Sequence, residues 1–341
     1  MRGEYLTFIV ATGLALCSCS KKILDHSIIH HGGVVDIASS AQDSLHVKFL
    51  GTASFLISYK GDAVLTDPFI SNPPGGQLFF GKIKSNPEIV DKYLPQEDID
   101  KIDMVTIGHS HYDHLLDLPY IYPKLHPKAK LLGSQTAAYL MAPFAPGERM
   151  IILNELKGDH LNLTDWIYNE ERTIRIMPFA CAHPYHIGKI IFFNGSLKKE
   201  MKKIPKNPGK WKVGETYSYI IDFLDPGKDR IQYRVFFKGS EVAPPMCIYP
   251  EEINTEKNPD ITIIPAATVG FGENLTRYAI DHSNPSIVFL DHWENFLIKK
   301  EKPVRTVPRG DPEKYYKELA GQFKDSIQII MPMPGAEFEI K

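Results

Sequence analysis

Between residues 45 and 66, apolar positions alternate with polar ones or form short runs, a pattern typical of β-strands. Three such segments, at 45–50, 53–58 and 63–66, are close enough together to predict an antiparallel meander. Pro68 follows almost directly. We expect it to end the last strand, because proline has no N–H to donate to a neighbouring strand.

After the meander, short apolar runs are interrupted by segments with helical spacing. Strands are predicted at 104–107, 130–132, 150–153, 173–178, 216–224, 231–237, 260–265, 286–290 and 327–331. Helices are predicted at 117–124, 137–141 and 275–280, and from Pro312 to about 321 with Asp311 as the N-cap. Two halves, about 45–165 and 170–335, each contain strands and helices. The pattern alone therefore predicts a mixed α and β protein.

The candidate chemistry lies just after the strand at 104–107, in the segment His109-Ser110-His111-Tyr112-Asp113-His114. Side chains alternate along extended chain, so His109 and His111 are expected to project to the same side. Imidazole and carboxylate groups at this spacing suit zinc or a similar divalent metal. Three surface histidines could also meet here by chance, but about one chain in a thousand of this composition would show the pattern. The segment therefore favours a metal site.

Two more histidines, His183 and His292, directly follow predicted strands, and Asp67 follows another. Taken singly, each has an ordinary structural explanation. His183 could be a structural or solvated histidine, His292 could form an aromatic corner with Trp293, and Asp67 could cap a turn. His186 lies three residues after His183, where it could contact a substrate, support a ligand or do neither. From the residues alone these alternatives stay open.

The segment from Gly108 to Leu115 resembles the signature of the metallo-beta-lactamase superfamily, in the branch that includes the N-acyl-phosphatidylethanolamine-hydrolysing phospholipase D. The resemblance implies an α+β fold, a four-layer αββα sandwich, with the loops at the strand ends brought to one edge. It implies two sets of metal ligands. The first set is His109, His111 and His183, and the second set is Asp113, His114 and His292. It also implies that Asp67 supports the metal-binding loop.

The chain departs from the family pattern at Lys238-Gly239-Ser240-Glu241, where the family has an aspartate that bridges two metals. Ser240 is a poor ligand, and Glu241 is a longer replacement for the missing carboxylate. We therefore expect one tightly bound Zn²⁺ and a weaker second one. The same ligands would also suit Mn²⁺ or Fe²⁺.

The segment 71–80 is rich in proline and glycine, which predicts a loop, yet it ends on Phe79 and Phe80. These rings could pin the loop to the core, or they could border the substrate cleft, as the resemblance implies. Between Lys198 and Lys212 lie seven lysines and one acidic residue. This run is a solvated surface loop or a rim that attracts an anionic substrate or lipid surface, and Trp211 favours the rim.

The N-terminus has the features of an export signal: Arg2, then an apolar run too short for a stable membrane anchor. The residues before Cys19 resemble a bacterial lipoprotein processing site and fit it better than those before Cys17. We expect a signal peptide at 1–19, a tether at 20–44, and one hydrolase domain at 45–341. Acylated Cys19 would hold the protein at a bacterial membrane, on the periplasmic or cell-surface face.

The net charge and the cysteine count bear on nucleic-acid binding and on disulfide bonds. The formal net charge of −2 gives no support to nucleic-acid binding over the whole surface. Four irregularly spaced cysteines predict no disulfide framework, and Cys181 is expected to be a small buried residue.

Two functions remain. The first is a metal-dependent hydrolase acting on a small-molecule or lipid-like phosphodiester or other ester, with Asp113 as a ligand or as a general base. The second is a lipid-anchored, non-catalytic binding protein on a degenerate scaffold. The missing bridging aspartate favours the second, and the complete set of histidines favours the first.

Overall fold

The computed structural model describes residues 22–23, 25–37, 41, 43–144, 149–156, 166–186, 189–240, 242, 244–266, 273–308, 310–324 and 326–341. The predicted signal peptide, including Cys17 and Cys19, lies outside the described residues, as does Glu241. Within the described part of the chain, we find no helix with the length and apolar character needed to span a bilayer.

Sixteen strands are defined in the described residues, and they form two eight-stranded sheets. They are β1 Ile29–His30, β2 Gly33–Val35, β3 Leu45–Gly51, β4 Ser54–Tyr59, β5 Asp62–Thr66, β6 Ile102–Thr106, β7 Lys130–Gly133, β8 Met150–Ile152, β9 Ile167–Tyr168, β10 Ile174–Cys181, β11 Thr216–Leu224, β12 Ile231–Phe237, β13 Ile261–Pro265, β14 Ile287–Asp291, β15 Gln328–Pro332 and β16 Glu337–Ile340. The first sheet has the order β2-β16-β3-β4-β5-β6-β7-β8, and the second has the order β1-β15-β14-β13-β12-β11-β10-β9.

The α-helices are short in the first half and longer in the second. They are α1 Gly75–Phe79, α2 Pro87–Tyr93, α3 Gln96–Ile99, α4 Tyr112–Leu115, α5 Leu118–Ile121, α6 Gln135–Met141, α7 Glu273–Ser283 and α8 Pro312–Gln322. Helix α8 begins as predicted, because the Asp311 side chain accepts a hydrogen bond from the Lys314 N–H and Pro312 occupies the first helical position. The segment 71–80 is not entirely a loop, since it contains α1.

Three apolar clusters separate four layers. The middle cluster lies between the sheets, where Phe49 and Phe55 pack with Phe289 and other side chains of the second sheet. A second cluster lies between the first sheet and its helices, and a third lies between the second sheet and helices α7 and α8. Strand β14 shows how this arises. Phe289 faces the middle cluster and Leu290 faces the outer one, so both faces of the strand are apolar. The predicted αββα sandwich is confirmed.

Strand direction brings the candidate residues to one edge. Strands β5 to β8 run parallel to one another, and so do strands β12 to β15. Strand β10 is antiparallel to β11, which is antiparallel to β12, so β10 and β12 point the same way. The loops after β10, β12 and β14 therefore leave the second sheet from the same edge, as the loops after β5 and β6 do in the first.

Two features differ from the sequence analysis. Residues 29–35, predicted as part of a tether, form β1 and β2, which pair with β15 and β16 respectively. The folded domain therefore begins well before residue 45. In addition, Cys181 forms a disulfide bond with Cys247. Cys181 is buried as predicted, but its partner is 66 residues away and is brought to it only by the fold.

Candidate metal centre

The first histidine pair is held by the loop between β6 and α4. His109 and His111 are both buried, and His109 Nε2 lies 3.1 Å from His111 Nδ1. Between them, the Ser110 N–H donates to the Val213 carbonyl at 2.9 Å, and the Ile107 carbonyl accepts a hydrogen bond from the Tyr219 hydroxyl at 2.7 Å. These bonds fix the loop to β11 and the segment before it, so the two imidazoles converge on one point.

His183, at the end of β10, completes a group of three. Its ring centroid is 4.7 Å from that of His109 and 4.9 Å from that of His111. The Nδ1 atom lies 2.7 Å from the Pro184 carbonyl, which can only accept a hydrogen bond. The proton is therefore on Nδ1, and the Nε2 atom has a free lone pair. One ring nitrogen from each of the three histidines falls within 4.8 Å of the others.

Asp113, His114 and His292 form an adjacent group, with ligand atoms also within 4.8 Å of one another. His114 Nε2 lies 3.2 Å from His292 Nε2, and the His109 and His114 ring centroids are only 3.8 Å apart. Helix α4 supplies Asp113 and His114, while the loop after β14 supplies His292. The structure therefore brings together all six residues that the sequence analysis predicted as ligands.

The two groups fit divalent metal ions chemically. Nitrogen and carboxylate donors are the ligands that zinc and similar metals prefer, and two ring nitrogens 3.1 or 3.2 Å apart can both reach one ion about 2.1 Å away. Buried His109 Nδ1, His111 Nε2 and His292 Nδ1 also lack hydrogen-bond partners among the described residues. Such a concentration of buried, unsatisfied imidazoles is costly unless a cation binds there.

Burial holds most of these imidazoles neutral. It lowers the pKa of His109 and His111 well below the usual value, and it lowers the pKa of His114 to about 3 and that of His183 to about 4. A neutral imidazole keeps a lone pair for a metal. His292 is the exception: burial lowers its pKa, but the nearby carboxylate of Asp291 outweighs that effect and raises it.

Asp67, at the end of β5, contacts both ends of the segment that carries the histidine motif, residues 108–114, which we call the motif loop. Its Oδ1 accepts a hydrogen bond from the Gly108 N–H at 2.5 Å, and its Oδ2 lies 2.8 Å from His114 Nδ1. Burial raises the pKa of Asp67 to about 8 despite the Gly108 hydrogen bond. A Cβ on Gly108 would lie 2.9 Å from Asp67 Oδ2, so residue 108 must be glycine for this contact. The prediction that Asp67 supports the motif loop agrees with this geometry.

Two acidic residues beside His292 were missed. Asp291 Oδ1 lies 3.6 Å from His292 Nδ1, and Glu294 Oε1 accepts a hydrogen bond from the Thr52 N–H at 2.5 Å. The Thr52 carbonyl in turn accepts a hydrogen bond from the His292 N–H at 2.9 Å. The turn between β3 and β4 therefore holds the His292 loop. The signal in the sequence was the run Asp291-His292-Trp293-Glu294 itself, in which only His292 was singled out.

Two other residues that the sequence analysis singled out, His186 and Ser240, have different surroundings. His186 stacks on His183 with ring centroids 4.7 Å apart, and its Nδ1 accepts a hydrogen bond from the Phe192 N–H at 3.1 Å. Ser240 is buried, and its hydroxyl has no hydrogen-bond partner among the described residues. The Lys238 ammonium donates to the Ser240 carbonyl at 2.7 Å. Residues 238–240 thus supply no carboxylate, as the sequence indicated.

Comparison with known proteins gives matches to part of the chain. The profile of the beta-lactamase superfamily domain matches residues 46–136. The chain is 34% identical over 94 residues, 28% of its length, to a UPF0173 metal-dependent hydrolase from Aeropyrum pernix. It is 30% identical over 95 residues, also 28% of its length, to an N-acyl-phosphatidylethanolamine-hydrolyzing phospholipase D 1 from Caenorhabditis elegans. The matched segments cover 31% and 25% of those two relatives, so the chain spans less than a third of either.

Similarity of fold extends over most of the chain. A metallo hydrolase from the archaeon Ignicoccus hospitalis superposes with a TM-score of 0.55 at 17% sequence identity, covering 87% of this chain and 99% of the other. The chain therefore has the metallo-beta-lactamase fold. The segment that matches the superfamily profile, residues 46–136, contains the histidine motif, and the chain is similar over 94 residues to a metal-dependent hydrolase.

The role of Asp67 can be tested by Asp67→Asn. A cation on the far side of His114 would favour the ionised form of Asp67, whereas the amide keeps the size of the side chain and cannot ionise. We therefore expect metal affinity to fall about 10- to 100-fold. Competition with a chromogenic chelator measures this. Asp103→Asn is the matched control, because Asp103 lies near the opposite end of β6. Equal affinity in the wild type and Asp67→Asn would show that Asp67 does not support the ligands.

Proposed function

We propose that this protein is a metal-dependent hydrolase. The observation that carries the proposal is the convergence of five histidines and Asp113 into two adjacent ligand groups at one edge of the sandwich. His109, His111 and His183 would hold a first metal ion, and Asp113, His114 and His292 a second. Zn²⁺ fits these donors, and Mn²⁺ or Fe²⁺ would fit them as well.

When bound, such a metal would lower the pKa of a water molecule from about 16 to about 7 and polarise the scissile group. The chain's own residues have distinct tasks. Asp113 is only partly buried, and its carboxylate lies 3.9 Å from His114 Nε2, so it faces the centre and can accept a proton from an attacking water. Asp67 and the Pro184 carbonyl orient His114 and His183, respectively.

The substrate we propose is a phosphodiester or another ester, either a small molecule or a lipid. The name of the Caenorhabditis elegans relative supports a phosphodiester, and its match covers 28% of this chain. His186 is exposed beside His183 and Phe192, where it can contact a substrate that enters the centre. We propose that it positions the substrate.

His111→Ala tests the catalytic proposal. It removes a ligand of the first metal, so we expect hydrolysis of chromogenic phosphodiester and carboxylic ester substrates to fall by several orders of magnitude. The fold should persist, because His111 lies in a loop outside the apolar clusters. Activity, metal content by elemental analysis and circular dichroism are the measurements.

The matched control is His126→Ala, which removes an exposed histidine and should change neither activity nor metal content. A metal-free His111→Ala protein with full activity would rule out the hydrolase mechanism. Unfolding of that variant would instead show that the metal is structural. If the wild type binds metal but hydrolyses no ester, the alternative of a non-catalytic binding protein would be favoured.

The two metals should bind with unequal affinity. A bridging carboxylate offsets the repulsion between two dications about 4 Å apart, and Ser240 supplies none. We expect one metal to survive gel filtration and a second to bind only in excess metal. Ser240→Asp should tighten the second metal, whereas Ser240→Ala should not.

Glu241→Gln tests whether that residue replaces the bridge, in which case the second metal alone would weaken. Isothermal titration with Zn²⁺ separates the two binding steps. Two tightly held metals in the wild type, unchanged by Glu241→Gln, would show that no bridge is needed.

We also propose that the protein is an exported bacterial lipoprotein, acylated on Cys19. Besides the sequence of the N-terminus, the Cys181–Cys247 disulfide supports export, because such bonds persist in oxidising compartments. Cys19→Ser should move the protein from the membrane fraction to the soluble fraction, as followed by immunoblotting after fractionation. Cys17→Ser is the control. A Cys19→Ser protein that is cleaved yet remains in the membrane would contradict the proposal.

A further inference from the structure

The lysine run of the sequence forms a folded lobe, residues 197–213, beside the metal centre. Leu197, Met201 and Ile204 pack against the apolar cluster under the helices of the first sheet. Trp211 is fully buried, and its indole N–H donates to the Pro205 carbonyl at 2.9 Å. The expectation that Trp211 supports a lipid-facing rim is therefore wrong, since it anchors the lobe from inside. The lysines point the other way.

The outer surface of this lysine lobe is strongly basic. Residues 198–212 carry seven lysines and one glutamate, a formal charge of +6, so the rest of the chain carries −8. Six of the seven lysines are exposed, and none forms an ion pair with another described residue. Elsewhere in the described chain, surface lysines such as Lys124, Lys128 and Lys317 do pair with carboxylates. The lobe is thus an unneutralised positive surface on an otherwise acidic protein.

Large apolar side chains are exposed near the lobe and near the metal centre, where the Ile190 carbonyl accepts a hydrogen bond from the N–H of His186, the residue after Tyr185. Phe80, Tyr185 and Ile190 have 78%, 51% and 53% of their surface exposed. Phe80 lies next to the lobe, because the nearby Ile83 N–H donates to the Lys206 carbonyl at 3.0 Å. Of the alternatives for the loop at 71–80, Phe80 therefore does not pin it to the core. Exposed apolar side chains on segments next to a lysine-rich surface are typical of a protein face that inserts into the headgroup region of a membrane.

This surface borders the metal centre. The Val213 carbonyl at the end of the lobe accepts the hydrogen bond from Ser110, between His109 and His111. The Phe193 ring, just before the lobe, lies 6.2 Å from the His111 ring. A membrane in contact with the lobe would therefore lie near the centre.

We propose that the lysine lobe, with Phe80, Tyr185 and Ile190, docks onto a bilayer rich in anionic phospholipids. A membrane fits better than a nucleic acid for two reasons. The lobe has lysines but no arginine, and lysine is a point charge suited to a diffuse anionic surface rather than to bidentate recognition of phosphates and bases. In addition, the exposed aliphatic Ile190 gains nothing from a sugar-phosphate backbone but is stabilised among acyl chains.

The test is vesicle co-sedimentation of the full chain carrying Cys19→Ser, so that acyl chains do not contribute to binding. Vesicles of phosphatidylcholine mixed with phosphatidylglycerol should bind the protein, and vesicles of phosphatidylcholine alone should bind it much more weakly. Each lysine near an anionic surface contributes about fivefold to partitioning. The variant K198Q/K199Q/K202Q/K203Q should therefore bind at least about a hundredfold more weakly, and added salt should weaken the parent protein in the same way.

The matched control, K228Q/K299Q/K302Q/K324Q, makes the same change of charge at exposed lysines outside the lobe and should retain binding. Phe80→Ser with Ile190→Ser should weaken binding without changing its salt dependence. Equal loss in both lysine variants would show a general charge effect and overturn the proposal. The proposal would also be overturned if K198Q/K199Q/K202Q/K203Q lost binding to duplex DNA but bound vesicles as well as the parent protein does. Metal content and hydrolysis of a small soluble ester are read in parallel, so a failure of the hydrolase proposal is seen separately.

Discussion

The arrangement of the metal centre depends on one buried carboxylate. Asp67 stands at the end of β5 and reaches both the Gly108 N–H at the end of β6 and the imidazole of His114 on α4. A buried carboxylate is stable only if its oxygens are hydrogen-bonded. The motif loop and Asp67 therefore depend on each other. Asp67 fixes the position of His114, and the hydrogen bonds from the loop allow the Asp67 carboxylate to be buried. It also explains why residue 108 has no side chain.

Much of the sandwich was predictable because its strands are buried on both faces. Runs such as 216–224 and 286–290 are mostly apolar segments whose local signal does not depend on distant residues. The ends of the strands before His109 and His292 were predicted to within two residues, whereas β10, before His183, extends three residues beyond its predicted end. The set of metal ligands was then predicted from the resemblance of one segment, Gly108 to Leu115, to the superfamily signature.

What escaped prediction depends on contacts between distant parts of the chain. Strands β1 and β2 contain two and three residues, too few for a periodic pattern, and they exist because partners at the C-terminus extend the sheets to them. The Cys181–Cys247 bond had no spacing signature. Trp211 was placed on the surface because of its lysine neighbours, whereas the fold turns the lysines outward and the indole inward.

The pairing of the two chain ends has a consequence for the order of folding. Ile29 is in register with Met331, and Val35 with Ile340, so each contact closes a loop of about 300 residues. While the chain is being synthesised, β1 and β2 have no partners until β15 and β16 have been made. The meander of β3 to β5, by contrast, can pair as soon as it emerges. Each sheet therefore gains one edge strand late, and the loss of β16 would leave β2 without its neighbour while β1 keeps its pairing with β15.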